Sequence, residues 1–587
     1  MTGSSAPPLA SRGRRASGRR RTRRGGGEAG EWLLLALLAL FVGLFALWPL
    51  ARLLAQAVLP GGEPSLAPLA EALASRSARR AAWHSVESSA VSAVGAVLLG
   101  GAFAVLVALT DLRAKAALAF LFMLPTMIPP QVTALAWIQL TGPASPLLNA
   151  LGLAPPPGTT NPIYSREGIM ALLAAQHAPL AFLILRAGLR GVPREAVEAA
   201  RIAGAGGWRI ARDIALPLVA PSLVAALGLA FVSALGNFGI PAMLGIPGRY
   251  TTLPVLIWQR LAGFGPGMLP SVAALSVGVL GIAAAALLAQ SLAARRLTVR
   301  QVAKPGAPLA LPLGRWRPAA EAGAWGVIGA VLALPLAALV AASLVPAYGV
   351  RLSAETMTVS AYGEVLLRQE ATVRAFGNST LLALAAALVL SAAAVPLAWL
   401  AVWRGRRAAR WIAGLAGLPY ALPGIVMAIA AILVFLRPLP VLGVSIYATL
   451  WIILAAYLGR FFALALGPVA AGFRQADPAL EEAARVAGAG LAMRLATIVA
   501  PLVAPVAAAG AILVFLTAFN ELTVSALLWA GGTETVGVVV FNLSDGGYAT
   551  LASAMAVVTV GVIVALMLAL QAMAPRLPRG VVPWAGD

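Results

Sequence analysis

The sequence predicts an all-α polytopic membrane protein with about twelve transmembrane helices, arranged as two parallel six-helix repeats. Of its 587 residues, 60% are hydrophobic and 11% are charged, and the mean hydropathy is +0.89. A water-soluble core of ordinary design does not bury so much apolar surface. Apolar stretches of about 20 residues, long enough to cross about 30 Å of hydrocarbon, recur along the chain, and motifs of the first half return in the second.

The apolar stretches form two sets of six. The first set lies near residues 32–56, 86–110, 116–140, 167–189, 219–243 and 269–293, and the second near 323–346, 379–403, 411–436, 445–467, 503–528 and 550–574. Arginines cluster before the first stretch and in alternate loops, which by the positive-inside rule places both termini in the cytoplasm. The tail resembles the start of a signal peptide, but the long apolar run behind it favours an uncleaved first helix.

The charge and the missing cysteines exclude several classes of function. A net charge of +22 suggests nucleic-acid binding in a soluble protein, but here the arginines lie in short loops between apolar stretches, so no nucleic-acid partner is expected. The chain has no cysteine, which excludes disulfides and thiolate metal sites. We therefore expect a membrane protein whose basic loops interact with lipid headgroups and with protein partners.

A seven-residue phrase occurs twice in the polar loops. It runs from Glu198 to Gly204 and again from Glu482 to Gly488, 284 residues later. In each copy, nine residues separate the glycine from an Ile-x-x-Pro sequence, which ends at Pro217 in the first copy. The repetition of both the phrase and its spacing indicates an internal duplication.

A second repeated pattern lies within the apolar stretches. Leu124-Pro125 with Pro129 corresponds to Leu418-Pro419 with Pro423. These prolines interrupt matching helices of the two repeats, where they act either as hinges beside a translocation path or as kinks held by packing. Because six helices per repeat is an even number, both repeats enter the membrane in the same direction, and both copies of the phrase face the cytoplasm.

The phrase has the features of a docking surface. Glu198 and Arg201 are three residues apart, as are Glu482 and Arg485, which suits charge pairs on a short exposed helix. The glycine can end that helix in a left-handed conformation, after which a second short helix leads to the proline. A single loop of this kind is better explained as an amphipathic connector lying on its own bundle. Two copies with the same spacing favour contact with a partner.

The phrase and its spacing are similar to the coupling-loop signature of type I ABC importer permeases. The first copy matches completely, and the second has Ala500 in place of leucine. The resemblance implies that each loop binds one of two cytoplasmic ABC ATPase subunits in a bacterial inner membrane, and that a periplasmic or lipid-tethered binding protein delivers the substrate. The implied coupling residues are Glu198, Ala199, Ala200, Gly204, Ile214, Pro217, Glu482, Ala483, Ala484, Gly488, Ile498 and Pro501.

The resemblance divides the chain into seven parts. We expect an arginine-rich tail (1–31), a first helix with its external loop (32–84), a permease domain (85–290), a cytoplasmic linker (291–322), a seventh helix with its loop (323–373), a second permease domain (374–570) and a C-terminal tail (571–587). Neither lysine, Lys115 nor Lys304, belongs to a GxxxxGK[ST] phosphate loop. The chain is therefore expected to bind no cofactor and to be no enzyme, with ATP hydrolysed by the partner.

The substrate is less well defined by the sequence. The fused layout resembles the ferric-iron, thiamine and polyamine group, and the segment from Phe519 to Ser525 is most similar to ferric-iron permeases. Ferric iron is the expectation, with thiamine, a polyamine or a phosphonate- or sulfate-type anion as alternatives. A secondary transporter with parallel halves or a channel would have no use for the duplicated phrase.

Polar residues within the apolar stretches are candidates for the translocation pathway, because burying them in a membrane is costly. Glu521 is a candidate for transient contact with a hard cation, or else for a hydrogen bond to a neighbouring helix. Arg460 either neutralises Glu521 or extends towards the cytoplasm. The remaining candidates, for which ordinary packing or hydrogen bonding between helices is the alternative, are Asn520, Asn237, His177 and Tyr420.

Overall fold

The computed structural model describes residues 24–263, 267–297, 312–438 and 443–576, and their secondary structure is helical. Most of the expected arginine-rich tail, much of the expected linker and most of the C-terminal tail lie outside the described residues. We call residues up to 297 the first half and residues from 312 the second half.

Within the described residues, ten continuous helices are long and apolar enough to cross a membrane, and two bent pairs, each counted as one span, bring the total to twelve. Numbered in chain order, the first half contains spans 1 to 6: Glu28–Val58, Arg76–Leu109, Lys115–Met127 with Pro130–Ala150, Arg166–Arg190, Gly207–Leu235 and Met268–Leu297. The second half contains spans 7 to 12: Gly314–Ser343, Glu370–Val402, Arg407–Ala421 with Gly424–Phe435, Leu450–Gln475, Leu491–Phe519 and Ala549–Met573. The all-helical fold with two repeats is as the sequence predicts.

Spans 3 and 9 are broken at the predicted prolines. The two helices of span 3 meet at 100° around Pro129, and those of span 9 meet at 109° around Pro423. Proline has no N–H to donate and disfavours helical geometry in the residue before it. Accordingly, Ile128 and Leu422 have extended backbones, with ψ of 132° and 147°. Matching breaks in the two halves confirm that the repeat extends into the membrane.

Spans 5 and 11 begin earlier than predicted. We expected them near 219 and 503, each preceded by a separate short helix, but in both halves that short helix is continuous with the span. A π-helical turn joins the two parts, at Ala211–Ala215 in the first half and at Leu495–Val499 in the second. Because Pro217 and Pro501 cannot donate to the preceding turn, the wider turn lets the helix continue through them.

Spans 5 and 11 also end earlier than predicted, at Leu235 and Phe519. Apolar short helices follow: Gly239–Gly245 and Leu253–Leu261 in the first half, Ser525–Leu528 and Val536–Asp545 in the second. The hydropathy pattern had merged the first short helix of each half with the span before it. The ring of Phe541 lies 5.7 Å from Phe238 and 5.8 Å from Trp258. The short helices of the two halves therefore pack against each other where the long spans stop.

The first helix of each half packs against the other half. In span 1, the ring of Phe41 lies 5.6 Å from Phe462, and Trp48 lies 6.5 Å from Phe435. Span 7 in turn contacts the first half, since Arg317 near its start pairs with Asp111, which follows span 2. We call this reciprocal packing the exchange of spans 1 and 7. The two halves are thus interlocked. The connections that follow spans 2, 4, 8 and 10 lie at one end of the bundle, which we call the loop side.

Candidate functional site

The two repeated loops have the same backbone. The helices Arg194–Ile202 and Ala479–Val486 end at glycines with left-handed φ, 82° at Gly204 and 87° at Gly488. In each loop, the alanine after the glycine donates its N–H to the carbonyl five residues earlier, at 2.9 Å in both cases. This bond is typical of a Schellman motif. The chain therefore forms two equivalent helix-turn-helix projections on the loop side.

The charge pairs within the loops differ from those predicted. Glu198 bonds Arg194 at 2.5 Å, one turn before it, rather than Arg201. In the part of the chain that the structure describes, neither Glu482 nor Arg485 takes part in an ion pair. Arg201 lies in the last turn of its helix, beside the glycine turn. The arginines of both phrases are exposed and available to a partner.

Apolar residues at the ends of these helices are exposed, which the sequence analysis did not consider. Ile202 is 89% exposed and Val486, its equivalent 284 residues later, is 86% exposed. Trp208 in the first loop and Met493 in the second are also exposed. The sequence signal for this exposed apolar site is the branched residue, Ile202 or Val486, that precedes Ala-Gly in both copies of the phrase. Each projection therefore combines a polar helix with an apolar tip.

The signature residues lie where a partner can contact them. In both loops, the glutamate, the first alanine, the glycine and the proline are exposed, whereas the second alanine and the isoleucine are partly buried. These exposed positions are Glu198, Ala199, Gly204, Pro217, Glu482, Ala483, Gly488 and Pro501, and the partly buried ones are Ala200, Ile214, Ala484 and Ile498.

The two loops are held to the bundle in different ways. In the first loop, the inward-facing positions are apolar, with Val197 and Ile210 buried. In the second, the equivalent positions 284 residues later are Glu481 and Arg494, each 2% exposed and hydrogen-bonded to each other. One loop is thus anchored by apolar packing and the other by a buried ion pair.

The buried pair of the second loop belongs to a larger ionic cluster. Glu31, near the start of span 1, lies 3.9 Å from Arg494 and bonds Arg404 at 2.9 Å and Arg406 at 2.5 Å. Two carboxylates and three guanidinium groups therefore meet where span 1, the connection after span 8 and the second loop converge. Glu31 is itself 1% exposed, so the cluster joins span 1 firmly to the second loop.

The start of span 7 is fastened to the first half by weaker, more exposed bonds. The N–H of Leu313 donates to Asp111 at 3.0 Å, and Arg317 lies 3.7 Å from the same carboxylate. The hydrogen bond from Leu313, with smaller contributions from the N–H of Asp111 itself and the charge of Arg317, lowers the pKa of the Asp111 carboxyl below its ordinary value. The carboxylate therefore remains ionised at neutral pH and holds the end of the linker to the loop after span 2.

The breaks in spans 3 and 9 are stabilised by polar residues of spans 4 and 10. In the first half, the Gln176 amide donates to the carbonyls of Pro125, at 2.7 Å, and Ile128, at 3.1 Å, and accepts from Thr133. These bonds satisfy carbonyls that the break leaves without helical partners. Gln176 is not among the site residues predicted from the sequence, although it is the equivalent of Arg460 at the 284-residue spacing.

Arg460 and Glu521 form an ion pair, as one of the two sequence alternatives proposed. Their closest atoms are 3.2 Å apart, and the guanidinium lies against Gly424, where a Cβ would collide with it. Glu521 also accepts the N–H of Val524 at 2.8 Å and of Ser525 at 3.1 Å. Its carboxylate is thus fully committed within the protein.

The other pathway candidates have separate roles. Asn237, the equivalent of Glu521, accepts the N–H of Ile240 at 3.2 Å. Asn520 donates to the carbonyl of Met127 at 2.6 Å and so joins the two halves. His177 donates from Nδ1 to a carbonyl of its own helix, and Tyr420 is 40% exposed in the break of span 9.

No cluster of three or more His, Cys, Asp or Glu suited to a metal ion occurs among the described residues. Glu521, the weak candidate for cation contact, has no acidic or histidine neighbours that would complete such a group. The polar residues at the breaks instead bond each other and the interrupted backbone. Within the described residues, the hydrogen bond from Asn520 to the carbonyl of Met127 joins the two halves at these breaks.

Comparison with known proteins gives the family. The model of the family described as "Binding-protein-dependent transport system inner membrane component" matches residues 96–299 and 394–580, well over half of the chain. The chain belongs to this family. It is the permease of a binding-protein-dependent ABC importer, a multi-pass inner membrane component with two permease domains, and is not itself an ATPase.

The permease resembles several curated relatives. A probable ABC transporter permease of Sinorhizobium fredii is 26% identical over 572 residues, covering 94% of this chain and 97% of the relative. A probable molybdenum permease of Haloferax volcanii is 31% identical over 34% of this chain and 70% of the relative. A putative 2-aminoethylphosphonate permease of Salmonella typhi is 27% identical over 39% and 79%.

A solved structure is also similar. The crystal structure of a bacterial ABC transporter involved in the import of the acidic polysaccharide alginate includes a chain that is 18% identical to this permease. The match covers 47% of this permease and all of that chain, with a TM-score of 0.38. The relatives agree on a permease, but those named here do not support the expectation of ferric iron.

Proposed function

We propose that this permease couples two ATPase subunits, bound on the loop side, to the movement of substrate between its halves. The observation that carries the proposal is the pair of equivalent projections, each with an exposed branched apolar residue at its tip, 89% exposed at Ile202 and 86% at Val486. Each tip suits an apolar cleft rimmed by charge on a partner. Two projections of the same geometry suit two copies of one subunit.

The loop side is then the cytoplasmic side, and a binding protein delivers substrate to the other side. The arginine distribution supports this orientation, as does membership of a family named for its dependence on a binding protein. A secondary transporter, the alternative of another class, is disfavoured by the same membership.

Uptake into liposomes tests this function. The permease is reconstituted with the ATPase and the binding protein encoded beside its gene, and substrate uptake is measured with each component omitted in turn. We expect uptake only when ATP and both partners are present. Uptake by the permease alone, without an ATPase, would refute the proposal.

A small oxyanion is the substrate class we favour. The relatives from Haloferax volcanii and Salmonella typhi are named for molybdenum and 2-aminoethylphosphonate, which agrees with the anion alternative from the sequence. Glu521, the residue on which contact with ferric iron depended, is bonded to Arg460 and to two backbone N–H groups. An uncommitted carboxylate for a cation is therefore lacking at this position.

Selection by the binding protein separates the substrate classes. Molybdate, sulfate, 2-aminoethylphosphonate, ferric iron, thiamine and a polyamine are each tested for binding to the binding protein, for stimulation of ATP hydrolysis by the complex, and for uptake. We expect one of the oxyanions to bind and to be imported. Import of ferric iron, thiamine or the polyamine with no import of any oxyanion would refute the oxyanion assignment while leaving the ATP-coupled function intact.

A further inference from the structure

Gln131 is a buried amide without hydrogen-bond partners. It is the second residue of the helix Pro130–Thr141, directly after the break in span 3, and its side chain is 0% exposed. Neither its Oε1 nor its Nε2 has a hydrogen-bond partner among the described residues. Buried polar side chains are nearly always hydrogen-bonded, because leaving both ends of an amide unsatisfied costs free energy. An amide kept here without a structural partner indicates a ligand.

The amide lies between the two halves. A Cβ on Gly239, in the first half, would come within 3.3 Å of Oε1, and a Cβ on Gly537, in the second half, would come within 3.0 Å of Nε2. The two glycines thus leave room for the glutamine on both sides. A Cβ on Gly537 would also come within 3.2 Å of the backbone carbonyl of Glu521, so the amide lies near the backbone of the residue that pairs with Arg460.

Packing does not require a polar residue at this position. The equivalent of Gln131 in the second half is Ile425, the second residue of the helix Gly424–Phe435. Its side chain is also 0% exposed. An apolar side chain therefore fits the same place in the repeat. The glutamine is a departure from the repeat that costs stability, which is typical of functional sites.

The surroundings of the amide favour negative charge. The helix Pro130–Thr141 begins at the interface, and the N-terminal end of a helix carries a partial positive charge. Its counterpart, Gly424–Phe435, begins beside Arg460, whose Nε has no hydrogen-bond partner. Glu521 is the only carboxylate bonded to this arginine in the described residues, and it is held by the backbone of its own turn.

Building on the oxyanion import proposed above, we infer that Gln131 contacts the substrate. Its amide N–H donates to an oxygen of a small oxyanion as the ion passes between the halves, at a site formed with Arg460 and the start of the helix Pro130–Thr141. While the halves are in contact, the amide is unsatisfied, which raises the free energy of that contact. The oxyanion satisfies the amide once the halves separate.

The inference is tested by Gln131→Leu and Gln131→Glu in the complete complex with ATPase and binding protein. The probes are molybdate and 2-aminoethylphosphonate, with the loaded binding protein at saturation. We measure uptake per ATP hydrolysed and the melting temperature of the complex. Gln139→Leu is the matched control, since Gln139 is also buried and lies two turns further along the same helix.

We expect Gln131→Leu to keep or raise the melting temperature, because it removes an unsatisfied amide, and to lower uptake per ATP about tenfold or more, which corresponds to the loss of a hydrogen bond to a charged group. Gln131→Glu should lower uptake further by repelling the anion. Gln139→Leu should keep wild-type uptake.

Three results would overturn the site while leaving oxyanion import intact: wild-type uptake by Gln131→Leu, undiminished uptake by Gln131→Glu, or equal losses in Gln131→Leu and the Gln139→Leu control. A fall in uptake accompanied by an equivalent fall in melting temperature also overturns it, as the amide would then be structural. If the wild-type complex imports neither oxyanion, the proposed substrate class fails, and the anion site fails with it.

Discussion

Glu521 and Arg460 form a buried ion pair where the first half has two amides. Asn237 and Gln176 occupy the equivalent positions and bond the interrupted backbone without charge. A buried ion pair stabilises a protein little compared with neutral groups, because both ions lose their hydration. Removing one partner is costly, since the other charge remains buried. The pair therefore makes the second half more sensitive to single substitutions than the first.

Changing the pair to the amides of the first half tests this account. Glu521→Asn alone leaves the Arg460 guanidinium buried and should destabilise the protein by about 3–5 kcal/mol. Glu521→Asn with Arg460→Gln should recover most of that loss. Thermal unfolding of the purified permease measures both, and Asn237→Ala serves as the neutral control. Equal melting temperatures for wild type and Glu521→Asn would contradict the account.

At the helix breaks, the sequence predicted which charged residues pair, but not which polar residues bond the backbone. Glu521 and Arg460 were recognised because charge is rare in a membrane helix, and their opposite charges made pairing one of the two alternatives for Arg460. Gln176 was missed because an amide does not stand out by composition, and His177 beside it drew attention instead. Hydrogen bonds to carbonyls freed by a helix break depend on the bend of that break, which hydropathy does not encode.

The two coupling loops are elements of the same shape with different anchors. Val197 and Ile210 anchor the first loop, whereas Glu481 and Arg494 anchor the second and join it to Glu31 of span 1. We therefore expect movement of the second loop to be transmitted to span 1 through charge-assisted bonds, which are directional. Apolar packing in the first loop allows more sliding.

Replacing Glu481 and Arg494 by the apolar residues at the equivalent positions of the first loop tests whether the second loop needs a charged anchor. Arg494→Ile alone leaves Glu481 buried without its partner and should destabilise the complex by about 3–5 kcal/mol. Glu481→Val with Arg494→Ile should be better tolerated, because both charges are removed together. Thermal unfolding and ATP-driven uptake are the measurements. A double variant less stable than Arg494→Ile would show that the pair is not the anchor.

The apolar tips should dominate binding of the ATPase. Ile202→Asp and Val486→Asp each place a charge where an apolar contact is expected and should weaken ATPase binding at least tenfold, with little effect on the stability of the permease, since both residues are exposed. Leu153→Asp, at an exposed site on the opposite side, is the control. Binding is measured with the purified ATPase, and wild-type affinity of both tip variants would argue against docking at the tips.

Helix ends were predicted where local chemistry decides them. Gly204, Gly488 and the prolines of spans 3 and 9 end helices for reasons contained in a few neighbouring residues. The predicted starts of spans 5 and 11 were wrong because a π-helical turn lets each helix continue through a proline. Whether a chain accommodates a proline in that way depends on the packing of the whole span.

At the scale of the whole molecule, the exchange of spans 1 and 7 makes the halves mutually dependent. Contacts such as Phe41 with Phe462, and Arg317 with Asp111, cross between the halves. The repeat, the number of spans and their parity followed from the sequence. The exchange did not, because an apolar helix carries no signal that specifies which neighbour it packs against.

Dividing the chain within residues 298–311 tests the exchange. Each half expressed alone lacks the surface that covers its first helix, so we expect it to be degraded or aggregated. The two halves expressed together should associate, resist proteolysis and support uptake. Blotting of membrane fractions with a tag on each half gives the readout, and a stable, monodisperse half on its own would contradict the interlocked arrangement.

Crosslinking tests the central claim, that the two projections are the docking sites for two ATPase subunits. Because the permease has no cysteine, Ile202→Cys and Val486→Cys each introduce a unique thiol, and Leu153→Cys provides the control on the opposite side. With a short bifunctional thiol reagent and an ATPase carrying a single cysteine in its cleft, we predict that each tip variant captures one ATPase, that the double variant captures two, and that Leu153→Cys captures none. Capture by Leu153→Cys, or by neither tip, would contradict the account.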